Sequence, residues 1–137
     1  MLPKVVDLSL ITKDQIRQLI AKLEEITLEC DQVELPVFHH FSKGVYAREL
    51  HIPKGIFIIG KIHKFRNLNV LSKGECSVLS IDGVMRLKAP HTMVSSPLVK
   101  RAIYAHEDCV WTTIHGTDET DLEKIEEEVI LKTYGED

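Results

Sequence analysis

The central part of the chain, residues 33–116, consists of short runs of β-branched and aromatic residues that are separated by turn residues. This pattern predicts many short strands in a sandwich or barrel, because βαβ units would need helical segments between the strands. Asp82-Gly83 lies between two apolar runs and predicts a tight hairpin, since both central residues of such a turn have positive φ. The predicted strands are Glu34–Phe41, Val45–His51, Gly55–His63, Leu68–Leu71, Glu75–Ser80, Val84–Lys88, Thr92–Ser95, Lys100–Tyr104 and Asp108–Ile114.

Helical periodicity flanks this region on both sides. Thr12 and Gln15 have the spacing of a capping box, and the apolar stripe that follows them predicts a helix over residues 12–28. Thr120 and Glu123 repeat this spacing before a second apolar stripe, which predicts a helix over residues 118–132 that is capped by Thr120. Because the 137 residues contain no internal repeat and no long linker, we expect one domain over residues 1–137, with a β-barrel over 33–116.

Charge is distributed unevenly along the chain, whose formal net charge is −4. Residues 118–137 hold nine acids and two bases, and the remainder has a small excess of bases. A protein that binds duplex DNA usually concentrates Lys and Arg on one face, so a nucleic acid is not an expected partner. The apolar runs are far shorter than the roughly 18 residues that a membrane span needs. Asp7 comes too early for a signal peptide, so we expect a cytoplasmic protein without a membrane partner.

Three cysteines, Cys30, Cys76 and Cys109, are widely spaced and include no C-x-x-C pair. This spacing gives no support to a zinc knuckle, and the odd number predicts reduced thiols. Free cysteine usually behaves as a small buried hydrophobe, so we expect all three to be buried. The other residues expected in the core are Ile56, Ile58, Leu71, Val78, Leu87, Val94, Ile103, Val110 and Ile114.

Two stretches of the strand region have a spacing that is found in a known family. The first contains Gly60, His63-Lys64-Phe65, Asn69 and Gly74, and the second runs from Ser95 to Arg101. They resemble the two motifs of the cupin superfamily. The first cupin motif contains a glycine, an H-x-H pair, a Glu and a closing glycine, and the second contains a Pro-x-Gly turn followed by a third His.

The resemblance extends from about His39 to His115 and implies a mainly β, cupin-like jelly-roll barrel with an N-terminal and a C-terminal helix packed outside. His39-His40-Phe41, the stretch from Trp111 to His115 and the acidic helix also look like small cupin-like proteins that are encoded in phage genomes. If that likeness holds, the protein is expected in the cytoplasm of the host cell.

Departures from the motifs bear on metal binding. A cupin metal site uses three imidazoles and a carboxylate, a donor set that suits borderline metals. His63 is retained, whereas Phe65 cannot coordinate a metal, Asn69 is a weak neutral ligand and Arg101 is a permanent cation. His63 is therefore a weak candidate for a divalent-metal ligand. A complete site would have to be rebuilt with other histidines, namely His115, His51, His91 or His106.

Arg101 supports a different interpretation, in which the barrel binds an anion. A guanidinium offers a fork of donors that suits a carboxylate or a phosphate. The residues predicted to bind such a ligand are His63, Asn69, Arg101, Trp111 and His115. A nucleotide, a sugar phosphate or an organic acid would suit this pocket. In the alternative, Arg101 pairs with Glu49 or Asp108 and Trp111 only fills the core.

Two classes of function remain open. In the first, the chain is a non-enzymatic cupin-like protein that binds a small anionic molecule in the barrel, or an accessory protein that contacts a host protein. In the second, it is a metal-dependent cupin enzyme of the isomerase or dioxygenase type. Because the sequence contains no G-x-S-x-G elbow, phosphate-binding glycine loop or H-E-x-x-H helix, no catalytic residue is predicted. Unpaired strand edges recruit partners, so we expect a homo-oligomer.

Overall fold

A computed structural model describes residues 11–132, which form two helices and eleven short strands. Every strand pair is antiparallel. In chain order the elements are α1 Lys13–Leu28, β1 Val37–Ser42, β2 Val45–Ile52, β3 Phe57–Ile59, β4 Ile62–His63, β5 Asn67–Lys73, β6 Glu75–Ser80, β7 Gly83–Lys88, β8 His91–Ser95, β9 Ala102–Ala105, β10 Cys109–Gly116, α2 Leu122–Val129 and β11 Ile130–Leu131. The expectation of a mainly β chain with a helix towards each end is confirmed.

The strands form two facing sheets and one small ladder. The larger sheet has the order β1-β2-β10-β5-β8, the second has the order β3-β9-β6-β7, and β4 pairs with β11. Side chains from both large sheets meet in one core, because alternate residues of each strand point to the same face. The buried residues of this core are Leu50, Ile52, Leu71, Cys76, Val78, Leu87, Ile103, Ala105, Cys109 and Trp111.

Two junctions between strands differ in how well the sequence predicted them. The predicted hairpin between β6 and β7 is present, but its turn is not the predicted one. Ser80 pairs with Gly83, so Ile81 and Asp82 are the central residues, and Gly83, with a φ of 101°, follows them, whereas Asp82 does not have a positive φ. The predicted strand Gly55–His63 is divided into β3 and β4. Its first part pairs with β9 and its last two residues pair with β11, so two different partners replace one continuous strand.

Helix α1 begins as the sequence predicts. The Thr12 side chain accepts a hydrogen bond from the Gln15 N–H, and the Gln15 side chain accepts one from the Thr12 N–H, which completes the capping box. Ile16 and Ile20 are buried, whereas Ile26 on the same stripe is half exposed. The helix therefore buries only part of its apolar stripe, since Leu19 is also exposed.

Helix α2 is shorter than predicted and is capped by a different residue. Asp121, not Thr120, is the N-cap, and its carboxylate accepts hydrogen bonds from two backbone N–H groups of the first turn. The helix ends at Val129 instead of continuing to residue 132, because Ile130 and Leu131 pair with β4. Ile125 and Val129 are buried against Tyr46 of β2, which holds α2 against the end of the larger sheet.

Most of the expected core residues lie inside the fold. Leu71, Val78, Leu87 and Ile103 are buried. Val94 is 58% exposed, so its predicted burial is wrong. It lies on the edge strand β8, where its neighbour Ser95 points inward and Val94 points outward. Ile56 and Ile58 are partly buried and pack against the core, whereas Val110 and Ile114 are partly buried but do not belong to it.

The three cysteines are free thiols, as predicted, but they are not all buried. Cys76 and Cys109 are buried between the sheets, whereas Cys30 is exposed just beyond α1. Burial raises the pKa of the Cys76 thiol to about 12. No helix within residues 11–132 is long and apolar enough to cross a membrane.

Candidate ligand-binding site

A cavity of about 550 Å³ lies between the two large sheets, next to α2. Its volume is within the range of small-molecule pockets in proteins. Side chains from β1, β2, β10, β3 and α2 line it, together with His63 of β4 and Arg101 immediately before β9. The five residues that the sequence predicted to bind a ligand all line this one cavity, namely His63, Asn69, Arg101, Trp111 and His115.

The inward face of the larger sheet is arranged in rows, because residues paired across antiparallel strands point to the same side. The row nearest α2 contains the paired residues Tyr46 and His115. The next row contains the polar residues His39, Arg48, Thr113 and Asn69 and ends in the apolar Met93 on the edge strand β8. The row farther from α2 is apolar at its centre and contains Val37, Leu50, Trp111 and Leu71. The cavity thus changes from polar to apolar along its length.

Asn69 is the centre of a buried hydrogen-bond network. Its Oδ1 accepts hydrogen bonds from Trp111 Nε1 at 3.0 Å and from Thr113 Oγ1 at 2.9 Å. Its Nδ2 donates to Ser95 Oγ at 2.6 Å and to Asn67 Oδ1 at 2.9 Å. The amide group is therefore fully used within the protein, and only 3% of the residue is exposed. Asn69 holds the wall of the cavity rather than offering free donors to a ligand.

Trp111 belongs to the core and to the cavity wall at the same time. It is 5% exposed, and its N–H group is engaged by Asn69. Its ring can therefore offer a ligand an apolar surface but no hydrogen-bond donor.

Arg101 lines the cavity and forms no salt bridge within residues 11–132, although the charge of Asp82 acts on it and opposes the effect of burial on its pKa. Its Nη2 donates to Ser95 Oγ and lies 3.9 Å from Met93 Sδ. The alternative that pairs Arg101 with Glu49 or Asp108 is wrong, because other groups engage both carboxylates. Glu49 bonds to two histidines on the outer face of the sheet, and Asp108 accepts from the backbone N–H of residue 54. Burial lowers the pKa of Arg101, but a guanidinium stays protonated in proteins.

Arg48 is a second cavity-lining arginine and was not among the residues predicted from the sequence. It alternates with Tyr46 and Leu50 along β2, which are both buried, so the period-two rule places it on the inward face. Its side chain is exposed and makes no hydrogen bond or salt bridge with the part of the chain that the structure describes. By contrast, Lys61 at the same cavity is paired with Glu126 of α2.

Rings of three histidines and one tyrosine follow one another along the α2 end of the cavity. His63 and His115 stack at 5.0 Å between ring centroids, with 20° between the ring planes. His115 stacks in turn on Tyr46 at 6.3 Å, and the Tyr46 hydroxyl lies 2.7 Å from His39 Nδ1. His63 Nδ1 is buried and has no hydrogen-bond partner within residues 11–132.

Both stacked imidazoles are held in their neutral form. Burial, followed by the charges of His115, Arg101, Arg48 and Lys61, lowers the pKa of His63 to about 4. Burial and the nearby Arg48 also lower the pKa of His115. The positive charge of the cavity at neutral pH therefore comes from its arginines.

These residues do not fit a cupin metal site. The described residues contain no group of three or more His, Cys, Asp or Glu side chains arranged to hold a metal ion. The two cavity histidines nearest each other are stacked, the Asn69 amide is already used, and Arg101 would repel a cation. His63 keeps one free ring nitrogen, which by itself is not a metal site.

The fold is similar to that of solved cupin structures. Residues of this chain superimpose on a cupin superfamily protein from Desulfitobacterium hafniense with a TM-score of 0.53 and 14% identity, over 66% of this chain and 84% of the other. An RmlC-like cupin family protein with a double-stranded β-helix fold from Methanocaldococcus jannaschii gives 0.52 and 15%, over 66% and 86%. Salicylate 1,2-dioxygenase from Pseudoaminobacter salicylatoxidans gives 0.55 and 11%, over 84% of this chain and 32% of the enzyme.

At these identities the similarity shows the fold and nothing of the chemistry. It confirms the expected cupin-type jelly roll. No protein-family model matches the sequence, and no curated protein matches it.

Proposed function

We propose that the protein binds a small anionic molecule in the cavity between its two sheets and holds it with Arg48 and Arg101. The observation that carries this proposal is that both guanidinium groups line one cavity and neither is paired with a carboxylate within residues 11–132. An unpaired charge is costly where it is removed from water, and this applies to the partly buried Arg101 more than to the exposed Arg48. An anionic ligand would supply the missing counter-charge.

The surroundings of the two arginines support an anion over a cation. Glu126 is the acidic residue that lines the cavity in the described range, and Lys61 already neutralises it. The neutral imidazoles of His63 and His115 add hydrogen-bonding groups without a negative charge. A carboxylate or phosphate can accept two parallel hydrogen bonds from each guanidinium, which gives both affinity and a fixed orientation.

Other readings of the sequence are less well supported by these residues. A metal-dependent isomerase or dioxygenase would need a set of ligands that the cavity does not bring together. A phage origin, a role as an accessory protein that contacts a host protein, and a cytoplasmic location stay predictions. The binding proposal requires none of them.

The experiment uses the fluorescence of Trp111, which is the single tryptophan of the chain and lines the cavity. Acetate, benzoate and inorganic phosphate are titrated into the purified full chain at low ionic strength. We expect at least one of these anions to change the fluorescence saturably, and Arg101→Gln and Arg48→Gln each to weaken binding about tenfold or more, because a charge pair is lost.

Arg86→Gln is the matched control, since Arg86 pairs with Glu75 outside the cavity and its loss should leave the affinity unchanged. The proposal fails if no anion binds, or if the cavity variants bind as tightly as the parent. Elemental analysis of the same preparation tests the enzyme alternative, and a stoichiometric transition metal would favour it.

A further inference from the structure

The cavity has an extensive apolar lining beside its two arginines. The apolar part is contributed by both sheets and by α2, through Leu35, Val37, Leu50, Ile58, Ile103, Trp111, Leu122, Ile125 and Val129. Leu50, Ile103 and Trp111 are buried members of the main core, so this part of the wall is well packed. A ligand that filled the cavity would place much of its surface against hydrocarbon.

Several polar groups that could bind a hydroxylated ligand are already used, and the lining groups that stay available are mainly those of Arg48, His63 and His115. The N–H of Trp111 and the hydroxyl of Thr113 donate to Asn69 Oδ1, and Asn69 Nδ2 donates to Asn67 and Ser95. Ser95 Oγ accepts from Asn69 and from Arg101. Among the described residues that line the cavity, His63 Nδ1 is the buried side-chain atom left without a partner. A sugar would bury several hydroxyl groups here and find few partners, which carries a desolvation cost for each one.

We infer that the ligand is an organic carboxylate with an apolar body, whose carboxylate lies at Arg48 and Arg101 and whose body packs against Leu50, Ile103 and Trp111. This inference rests on the proposed function and narrows it, because a nucleotide, a sugar phosphate and an organic acid all satisfy the arginines. The largely apolar lining of the cavity distinguishes among these three classes of ligand. Only the organic acid combines one anionic group with a body that needs no hydrogen bonds.

The order of the rows supports this orientation. Arg48 lies in the polar row between the Tyr46 row and the Leu50–Trp111 row of the larger sheet. Exposed lining residues mark the mouth, and they include His39, Arg48 and Leu122. A carboxylate near Arg48 can therefore keep contact with water while the apolar body extends towards buried side chains, as amphipathic molecules prefer.

Calorimetric titration of the full chain with four probes tests the inference. The probes are acetate, benzoate, inorganic phosphate and glucose 6-phosphate. We expect benzoate to bind about tenfold or more tightly than acetate, because its ring removes additional apolar surface from water at the same charge. Both phosphates are expected to bind more weakly than benzoate.

Two variants of the apolar wall sharpen the test. Ile58→Ser and Leu122→Ser each alter a residue that lines the cavity. Ile58 is partly buried and Leu122 is exposed, so Leu122→Ser is expected to fold even if Ile58→Ser does not. Each should weaken benzoate binding several-fold and leave acetate binding unchanged. Val84→Ser, at an exposed position outside the cavity, should change neither affinity.

The outcomes separate this inference from the proposed function. If acetate and benzoate bind equally, or a phosphate binds most tightly, and Arg101→Gln still abolishes binding, the inference is overturned and anion binding stands. If no probe binds, or Arg101→Gln has no effect on any probe, the proposed function fails together with the inference.

Discussion

The imidazole of His63 links the stability of the fold to pH. Burial, together with the charges of His115, Arg101, Arg48 and Lys61, lowers its pKa to about 4. In an unfolded chain the same group titrates at about 6.5. Between these values the unfolded state binds a proton that the folded state does not, so the free energy of unfolding decreases as the pH falls from 6.5 to 4. Well above pH 6.5 both states carry the neutral imidazole, so His63 no longer makes the free energy of unfolding depend on pH.

We expect the folded protein to lose about 3 kcal/mol through His63 between pH 6.5 and pH 4, since one pKa unit corresponds to about 1.4 kcal/mol. Urea denaturation at a series of pH values measures this loss. His63→Asn should show a shallower dependence, and the part that remains would include His115, whose pKa is also lowered. His91→Asn, which lies outside the cavity lining, is the control and should keep the dependence of the parent. An unchanged pH profile in His63→Asn would contradict the prediction.

Position 74 requires a glycine for two reasons, namely its backbone conformation and two neighbouring residues that leave no room for a Cβ atom. It has a φ of 90°, and a Cβ atom at this position would overlap the Asp108 carbonyl oxygen and lie 2.7 Å from Cys109 Sγ. Gly55 has a similar φ of 85°, but a Cβ atom there would meet nothing within 4 Å. The two glycines therefore separate the cost of a left-handed backbone from the cost of close packing.

We expect Gly55→Ala to lower the free energy of unfolding by about 1–2 kcal/mol, the usual cost of a left-handed residue with a side chain. Gly74→Ala should cost an additional 1–3 kcal/mol or so, because the backbone carbonyl of Asp108 must move to avoid overpacking. Thermal unfolding of both variants measures the difference. Equal destabilisation would mean that the close approach at Gly74 relaxes without cost.

The cap of helix α2 shows how two neighbouring candidates are separated by geometry. Asp121 Oδ1 accepts from the N–H groups of Glu123 at 3.0 Å and Lys124 at 3.2 Å, whereas Thr120 precedes the cap. Asp121→Ala should therefore destabilise the protein by about 1 kcal/mol, and Thr120→Ala by much less. Chemical denaturation of the two single variants tests this, and a larger effect at Thr120 would return the cap to the residue that the sequence spacing favoured.

Elements with a strong local pattern were predictable, and elements made by distant pairing were not. The capping box at Thr12 and the hairpin near Gly83 depend on neighbouring residues, and both are present, although the turn of the hairpin lies one residue earlier than predicted. Strand β11 has two residues and exists because Ile130 pairs with His63, more than sixty positions away. Local periodicity does not reveal such a pairing, so the sequence pattern predicted that α2 continues through residues 130 and 131.

The candidate site was predictable only in part for a related reason. Family spacing selected His63 and Arg101, and both line the cavity. The sequence did not indicate Arg48, because arginine is a residue type that is usually exposed and a charged residue on a strand normally suggests the outer face. Its inward direction follows from the burial of Tyr46 and Leu50 on either side, which becomes clear once the pairing of β2 with β10 fixes the inner face.

Viewed as a whole, the larger sheet has two faces with different chemistry. Its inner face carries the cavity, whereas its outer face exposes apolar side chains, with Phe38 51%, Leu68 42% and Val94 58% exposed. Two outer rows cross the middle of this face, one through the Phe38–Glu49 pair and the other through the His40–Ala47 pair. The carboxylate in these rows is that of Glu49, which is hydrogen-bonded to two histidines of the same face. Such a face can meet a copy of itself without opposing unpaired charges, which is what a two-fold symmetric contact requires.

The expectation of a homo-oligomer stays a prediction, and we place the contact on this outer face with a second copy of the chain as the partner. Sedimentation equilibrium should show a dimer whose fraction rises with protein concentration. Val94→Lys and Leu68→Lys should shift the equilibrium towards monomer, because each copy would bury a charge in an apolar contact. Val84→Lys introduces the same charge at a position of the other sheet that is 54% exposed, and it should leave the dimer intact.

A parent protein that remains monomeric at every concentration would contradict self-association. A dimer dissociated equally by all three variants would contradict the location of the contact, since only two of the positions lie on the five-stranded sheet.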